Sequence, residues 1–228
     1  MHTDLEVLER LVAPRGRDVV DVGCGGGALV RALVALGARV TGVEISPEQL
    51  SAAVAADEET GARYLVGRGQ DLPLDDGSVD AAVFMRTLHH VPPEEQLESL
   101  GEARRVLRPR GIVYVAEPLP EGDFFELTSL VEDERSVRAA AQEALARANE
   151  VGLERATTLE YEVKICLTGL DALRARVVSV DPARAEVFEA RRAELAEAFG
   201  RLGQPGESDG ERCFLQPMQA DLLRSAGR

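Results

Sequence analysis

The stretch VVDVGCGGGALVRAL, residues 19–33, constrains the fold of this chain more than any other. An apolar run breaks into glycines and then continues with Leu29, Val30, Leu33 and Leu36 at helical spacing. A strand that ends in a glycine-rich turn and opens directly into a helix is the start of a βα unit. Such a turn lets a ligand approach backbone N–H groups at a helix N-terminus.

The following hundred residues repeat the alternation. RVTGV (39–43) reads as a second strand, and Ser46 caps a helix that starts at Pro47. RYLV (63–66) is a third strand and VDAAVF (79–84) a fourth, almost wholly apolar, as a strand buried on both faces requires. Pro92 and Pro93 open a helix with Leu97, Leu100, Ala103 and Leu107 on one face, and GIVYVA (111–116) is a fifth strand. This order predicts an α/β fold with a doubly wound, mostly parallel sheet. Residues 1–17 hold one short helix pattern.

Beyond Pro118 the rhythm changes. A helix pattern over 133–149 aligns Val137, Ala141, Ala144, Leu145 and Ala148, and TTLEYEVKI (157–165) alternates like a strand. Helices are expected over about 169–178 and 183–202, then a last strand in RCFLQPM, shortened or bulged at Pro217. The chain of 228 residues reads as one domain, 1–228, with a core over 18–117 and a substrate and lid part over 118–228. Cover over the core is expected from the helices of 118–150 and 168–202. The alternatives for the alanine face at Ala141 and Ala144 are an outer layer on the sheet or a homodimer contact.

Charge and cysteines bound the partners. The net charge of −14 repels phosphate backbones and anionic membranes, so neither nucleic acid nor a membrane is an expected partner. Cys24, Cys166 and Cys213 show no metal-ligand spacing and no disulfide framework, which favours a reducing, cytoplasmic compartment. The N-terminus carries acids and lacks the apolar region of a signal peptide.

The glycine loop suits two cofactor classes. Gly23, Gly25 and Ala28 meet the dinucleotide pattern G-x-G-x-x-G/A. The fuller string DVGCGGG places Asp21 at the strand end, where a carboxylate opposes a pyrophosphate but attracts an ammonium and a sulfonium. Asp21 therefore tilts the choice from a dinucleotide to S-adenosylmethionine. Glu44, 21 residues after Gly23, ends the second strand where an acid accepts ribose hydroxyls, a feature of both classes. Ile45 would then lie against one face of the adenine.

VVDVGCGGG, VTGVEISPEQL, GQDLPLDDGSVDAAVFMRTLHHV and EARRVLRPRGIVYVAEP follow in that order from Asp18 to Glu117. In this series the chain resembles the class I S-adenosylmethionine-dependent methyltransferases, in particular the ubiquinone/menaquinone-type subgroup. The resemblance implies a seven-stranded Rossmann-like sheet with extra helices after strand five and between the last two strands. It implies methyl transfer to a small-molecule acceptor, with S-adenosylhomocysteine as the product. It places Asp21 and Gly23 near the methionine ammonium, Gly25 along the cofactor and Glu44 on the ribose. Gly69 and Gln70 fall beside the adenine, and Met85 and Arg86 near the amino-acid part.

One position departs from the family. Relatives often carry an adenine-binding acid where this chain has Arg68, in GRGQDLP. A guanidinium accepts nothing, so Gln70, Asp71 or a backbone carbonyl must substitute, and Arg68 is expected to point to solvent. Cys24 reads as a space-filler in the loop. For an acceptor that must lose a proton, His90, then His89 and Glu117, are the candidate bases at the ends of strands four and five. Two other readings stand beside methyl transfer: a regulatory protein that kept the fold, and a nicotinamide-dependent oxidoreductase.

Overall fold

A computed structural model describes residues 2–57 and 59–225. Its strands are β1 (Asp18–Val22), β2 (Arg39–Glu44), β3 (Arg63–Val66), β4 (Val79–Met85), β5 (Leu107–Pro118), β6 (Leu153–Leu167), β7 (Gln204–Pro205) and β8 (Arg212–Ser225). The α-helices are α1 (Asp4–Val12), α2 (Ala28–Ala35), α3 (Pro47–Ala55), α4 (Gln96–Val106), α5 (Asp123–Thr128), α6 (Arg135–Ala146), α7 (Leu170–Val178), α8 (Arg184–Ala190) and α9 (Arg192–Leu202). The sheet runs in the order β3-β2-β1-β4-β5-β8-β6, with β7 paired to β8. The first five strands pair in parallel. No helix among the described residues is long and apolar enough to cross a membrane.

The chain divides into two compact units. The larger comprises Asp4–Glu117, Ala139–Leu159 and the segment from Gln219 onward. Its apolar strands are buried as their composition demands: Ala81, Ala82, Val83 and Phe84 of β4 have no exposed surface. Strand order reverses between β1 and β4, so a crevice forms outside their carboxyl ends. Helix α3 starts where its cap predicts, with the Ser46 hydroxyl accepting the Gln49 amide at 3.2 Å.

The alanine face of α6 and the turn after it corrects an expectation. Ala141, Ala144, Leu145 and Ala148 pack into the main core with Val113, Val115 and Leu223. That face is neither a lid nor a homodimer contact, because the core already covers it.

The second unit is built mainly from Pro118–Arg138 and Glu160–Met218. Phe124, Phe199 and Phe214 form its aromatic centre, with ring centroids 5.1 and 6.2 Å apart. The helix expected over 183–202 is two helices, broken at Arg191, whose φ of −109° leaves the helical range. Strand β8 does not end at Pro217. It runs on to Ser225, and the Pro217 carbonyl still accepts the Leu119 amide at 2.9 Å. Gly122, at φ +92°, is required there, since a Cβ would sit 2.4 Å from Pro217 Cδ.

A second correction concerns the cysteines. Cys166 on β6 and Cys213 on β8 are joined by a disulfide across 47 residues of sequence. The two side chains meet through tertiary pairing of strands, which the spacing in the sequence does not reveal. The argument from cysteines for a reducing compartment therefore falls. Cys24 is a free, buried thiol.

Candidate cofactor and acid–base site

The glycine loop after β1 turns its amides inward. Gly23 and Cys24 donate to the Val43 carbonyl at 2.8 and 3.0 Å, and Gly25 donates to Glu44 Oε2 at 2.8 Å. Gly23, Gly25 and Gly27 have φ of +73°, +51° and +74°, conformations that favour glycine. At Gly23 the approach is also close: a Cβ would meet Thr87 Cγ2, from the segment after β4, at 2.2 Å. This is the switch point of the sheet, where the turns after β1 and β4 meet.

Glu44 is buried and braces this loop on both sides. Its Oε2 takes Gly25 and its Oε1 takes the Ser46 amide at 2.9 Å. Asp21 lies deeper, 2% exposed, and its Oδ2 has no hydrogen-bond partner among the described residues. Burial first, and then the neighbouring Glu44 charge, push its carboxyl up to about 7. Two carboxylates close together without a cation between them form a site that favours a positive ligand. Cys24 fills space against Gly42, where a Cβ would come within 2.8 Å of its sulfur. Burial, Asp21 and Glu44 push its thiol up to about 12, so it holds its proton and is no nucleophile.

Ile45 stands 58% exposed directly after Glu44, an apolar surface at the crevice mouth. The next loop is tied to the same point: Gly67 donates to the Glu44 carbonyl at 3.1 Å. Arg68 is exposed, as expected, and its carbonyl accepts the Asp71 amide at 3.1 Å to close a turn. Asp71 is exposed too, whereas Gly69 and Gln70 are half-buried, with the Gln70 amide nitrogen donating to Glu95 Oε2. Glu102 and Arg105 fasten the segment that follows. Glu102 Oε2 accepts the Leu72 amide at 3.1 Å, and Arg105 donates to the carbonyls of Leu72 and Leu74 at 3.0 and 2.9 Å.

Met85 ends β4, half-buried, and Arg86 follows at φ +56°. The Arg86 guanidinium is committed to Asp4, with two bonds to one carboxylate oxygen at 2.7 and 3.1 Å. Glu117, at the end of β5, is 1% exposed, and its Oε1 accepts the amides of Thr87 and Leu88 at 3.1 and 2.8 Å. Its Oε2 accepts from Nδ1 of His89, which is 4% exposed. His89 joins the carboxylate, while His90 is exposed and lies against the His89 ring with centroids 4.0 Å apart.

The sequence reading missed Glu95, Thr87, Glu102 and Arg105. Glu95 is 25 residues from Gln70 along the chain, and only a closed fold brings them together. A recess of about 420 Å³ lies at the opposite, amino-terminal ends of the strands, lined by Asp18, Arg39, Arg63 and Arg108, away from these groups.

This arrangement separates the two cofactor classes. A pyrophosphate needs loop amides and no facing acid. Here the amides of Gly23, Cys24 and Gly25 are spent on Val43 and Glu44, and the buried acid Asp21 lies alongside. Comparison with known proteins agrees. Residues 20–115 match the model of the methyltransferase domain. The segment is a class I methyltransferase domain. Over 124 residues the chain is 36% identical to an uncharacterized methyltransferase of Mycobacterium sp. (strain KMS), covering 54% of this chain and 48% of the relative. It is 34% identical over 115 residues to a ubiquinone biosynthesis O-methyltransferase of Xanthomonas axonopodis pv. citri (strain 306), covering 49% and 47%. The chain spans about half the length of the curated relatives it matches. A solved structure of a methyltransferase from Bacillus halodurans C-125 superposes with a TM-score of 0.66 at 21% identity, covering 99% of this chain and 100% of that one. The matched residues end within β5, and the second unit lies outside them.

Proposed function

We propose that this chain transfers a methyl group from S-adenosylmethionine to a small-molecule acceptor. The observation that carries the reading is the buried, unpartnered Asp21 Oδ2 beside Glu44, a site built for a cation. Asp21 would hold the ammonium, with the Gly23–Gly25 turn along the cofactor and Glu44 on the ribose through its remaining lone pairs. Met85 and Arg86 border the amino-acid end, Arg86 through its backbone. When bound, the cofactor supplies an activated methyl on its sulfonium.

The chain's own work is then placement of the acceptor and management of its proton. His89 and Glu117 are the acid–base pair of this reading. A carboxylate only accepts, so Nδ1 of His89 carries a proton and Nε2 is the basic nitrogen of the neutral ring. Glu117 holds that tautomer and, through Thr87 and Leu88, the turn that carries the histidine. An acceptor hydroxyl that must be deprotonated suits this pair.

The test is transfer of labelled methyl from S-adenosylmethionine across a panel of small hydroxyl, amine and thiol acceptors. The reading expects label in at least one acceptor and formation of S-adenosylhomocysteine. Turnover of a nicotinamide cofactor with no label transfer would overturn it.

A further inference from the structure

We propose that Cys166, Cys213 and Glu211 form a binding site for a thiophilic divalent cation, zinc, which becomes available when the Cys166–Cys213 disulfide is reduced. The two sulfurs and a carboxylate oxygen of Glu211 all lie within 4.8 Å of one another. All three residues belong to the second unit, and none of them takes part in the cofactor crevice. Glu211 is brought there by the pairing of β7 with β8, in which Gln204 faces Cys213 and Pro205 faces Arg212. The turn between the two strands then fixes its carboxylate. Glu211 Oε2 accepts the Glu207 amide at 2.7 Å, and the Glu211 amide donates to the Ser208 carbonyl at 3.1 Å. Gly206 leaves room for the group, since a Cβ there would collide with Oε2. Oε1 accepts no bond among the described residues, so one oxygen remains to act as a ligand.

A disulfide is uncharged and offers a neighbouring carboxylate no donor. Two thiolates beside the same carboxylate gather three negative charges, which a cation between them stabilises. Two sulfurs and an oxygen suit zinc, which takes thiolates and carboxylates alike, whereas calcium and magnesium take oxygens. Copper(I) prefers sulfur and gives the carboxylate no part. The fourth tetrahedral position is left to water. Access differs between the two cysteines. Cys213 is buried, while Cys166 is exposed, so a dithiol reaches the Cys166 sulfur and that side chain has room to swing. The sulfurs need stand only about 3.8 Å apart for Zn–S bonds of about 2.3 Å at the tetrahedral angle. The disulfide takes two electrons and two protons from the dithiol, which is oxidised to its own disulfide. Those two protons are released when the thiolates bind zinc. Strands β6 and β8 are thus joined by a covalent bond when oxidised and by a metal when reduced.

Titration of the full chain with zinc, and with cobalt(II) as a spectroscopic probe, tests this in two forms: oxidised, and reduced by a phosphine that is then removed without air. The reduced chain should bind one more zinc ion than the oxidised chain, with a Kd of about 1 μM or tighter. Cobalt(II) should give thiolate-to-metal charge-transfer absorbance in the reduced chain alone. Zinc should also raise the melting transition of the reduced chain, and restore its fold if reduction has unfolded the second unit. Cys166→Ser should bind no more zinc than the oxidised chain. Glu211→Gln keeps both sulfurs, so it should keep the absorbance while zinc affinity falls about tenfold with the loss of one charged ligand. Equal zinc uptake by the two forms of the wild-type chain, uptake of cobalt without the charge-transfer band, or a reduced chain that unfolds and is not restored by zinc would overturn the site. An unchanged affinity in Glu211→Gln would overturn Glu211 as a ligand.

Discussion

Glu44 holds Gly25: the carboxylate at the end of β2 accepts the amide of the second loop glycine at 2.8 Å. The bond couples the two features that the sequence presents separately, the glycine turn and the acid 21 residues on. It turns a backbone donor away from any anion and fixes the acid at the end of β2. It also sets Glu44 beside Asp21, and that pairing governs the electrostatics of the crevice.

Asp21 should make the ligand-free chain lose stability as pH rises. Its carboxyl titrates at about 7 in the folded chain, raised by burial and then by Glu44, against about 3.9 when unfolded. The folded chain keeps a proton that the unfolded chain releases between these values. The stabilisation is therefore full below about pH 4 and is lost as pH rises through about 7. Integrated over the window it amounts to at most about 4 kcal/mol. Urea denaturation at pH 5 and pH 8 should show the decline in wild type and a flatter dependence in Asp21→Asn. Equal slopes in the two would mean that Asp21 ionises normally.

Glu117→Gln should slow methyl transfer without weakening cofactor binding. The amide presents a donor as readily as an acceptor to His89 Nδ1, so the tautomer is no longer held. A loss of about 10²–10⁴-fold in kcat is expected for removal of acid–base catalysis, with S-adenosylhomocysteine affinity within about twofold. His89→Ala should match it, and His90→Ala should not. Loss in the His90 variant alone would return the role to the exposed ring.

Reduction should loosen the second unit. The Cys166–Cys213 bond closes 47 residues, for which chain entropy gives about 4 kcal/mol and experience about 2–4 kcal/mol. Melting with and without a phosphine reductant should show a lower transition when reduced, and Cys166→Ser should behave as the reduced chain. A coincident pair of melts would contradict a stabilising role.

The sheet was legible because its signals are local. The Ser46–Pro47 start of α3, the apolar run of β4 and the turn at Gly23–Gly27 each arise within a few residues. What escaped notice depends on contacts far apart in sequence. Glu95 meets Gln70, Glu117 meets His89, and Cys166 meets Cys213 only once the strands are ordered. Pro217 misled for a similar reason. A proline costs a strand one donor, but its carbonyl still pairs, and here Leu119 supplies the partner. The alanine face of α6 left a cover, an outer layer and a homodimer contact open because its partner, Val113 and Val115 of β5, comes from another part of the chain; the outer layer on the sheet is what forms.

The central claim is that the crevice between Asp21 and Glu44 takes a cationic nucleoside cofactor. Titration calorimetry with S-adenosylhomocysteine near pH 6.5, in two buffers of different ionisation enthalpy, tests it most directly. The account predicts saturable binding with release of a proton as Asp21 ionises against the ligand ammonium. It predicts no such release in Asp21→Asn, and affinity lowered about tenfold or more in Glu44→Ala, where charge-assisted bonds worth about 1.5–3 kcal/mol each are lost. Saturable binding of a nicotinamide dinucleotide with none of S-adenosylhomocysteine, or an unchanged affinity in Glu44→Ala, would contradict it.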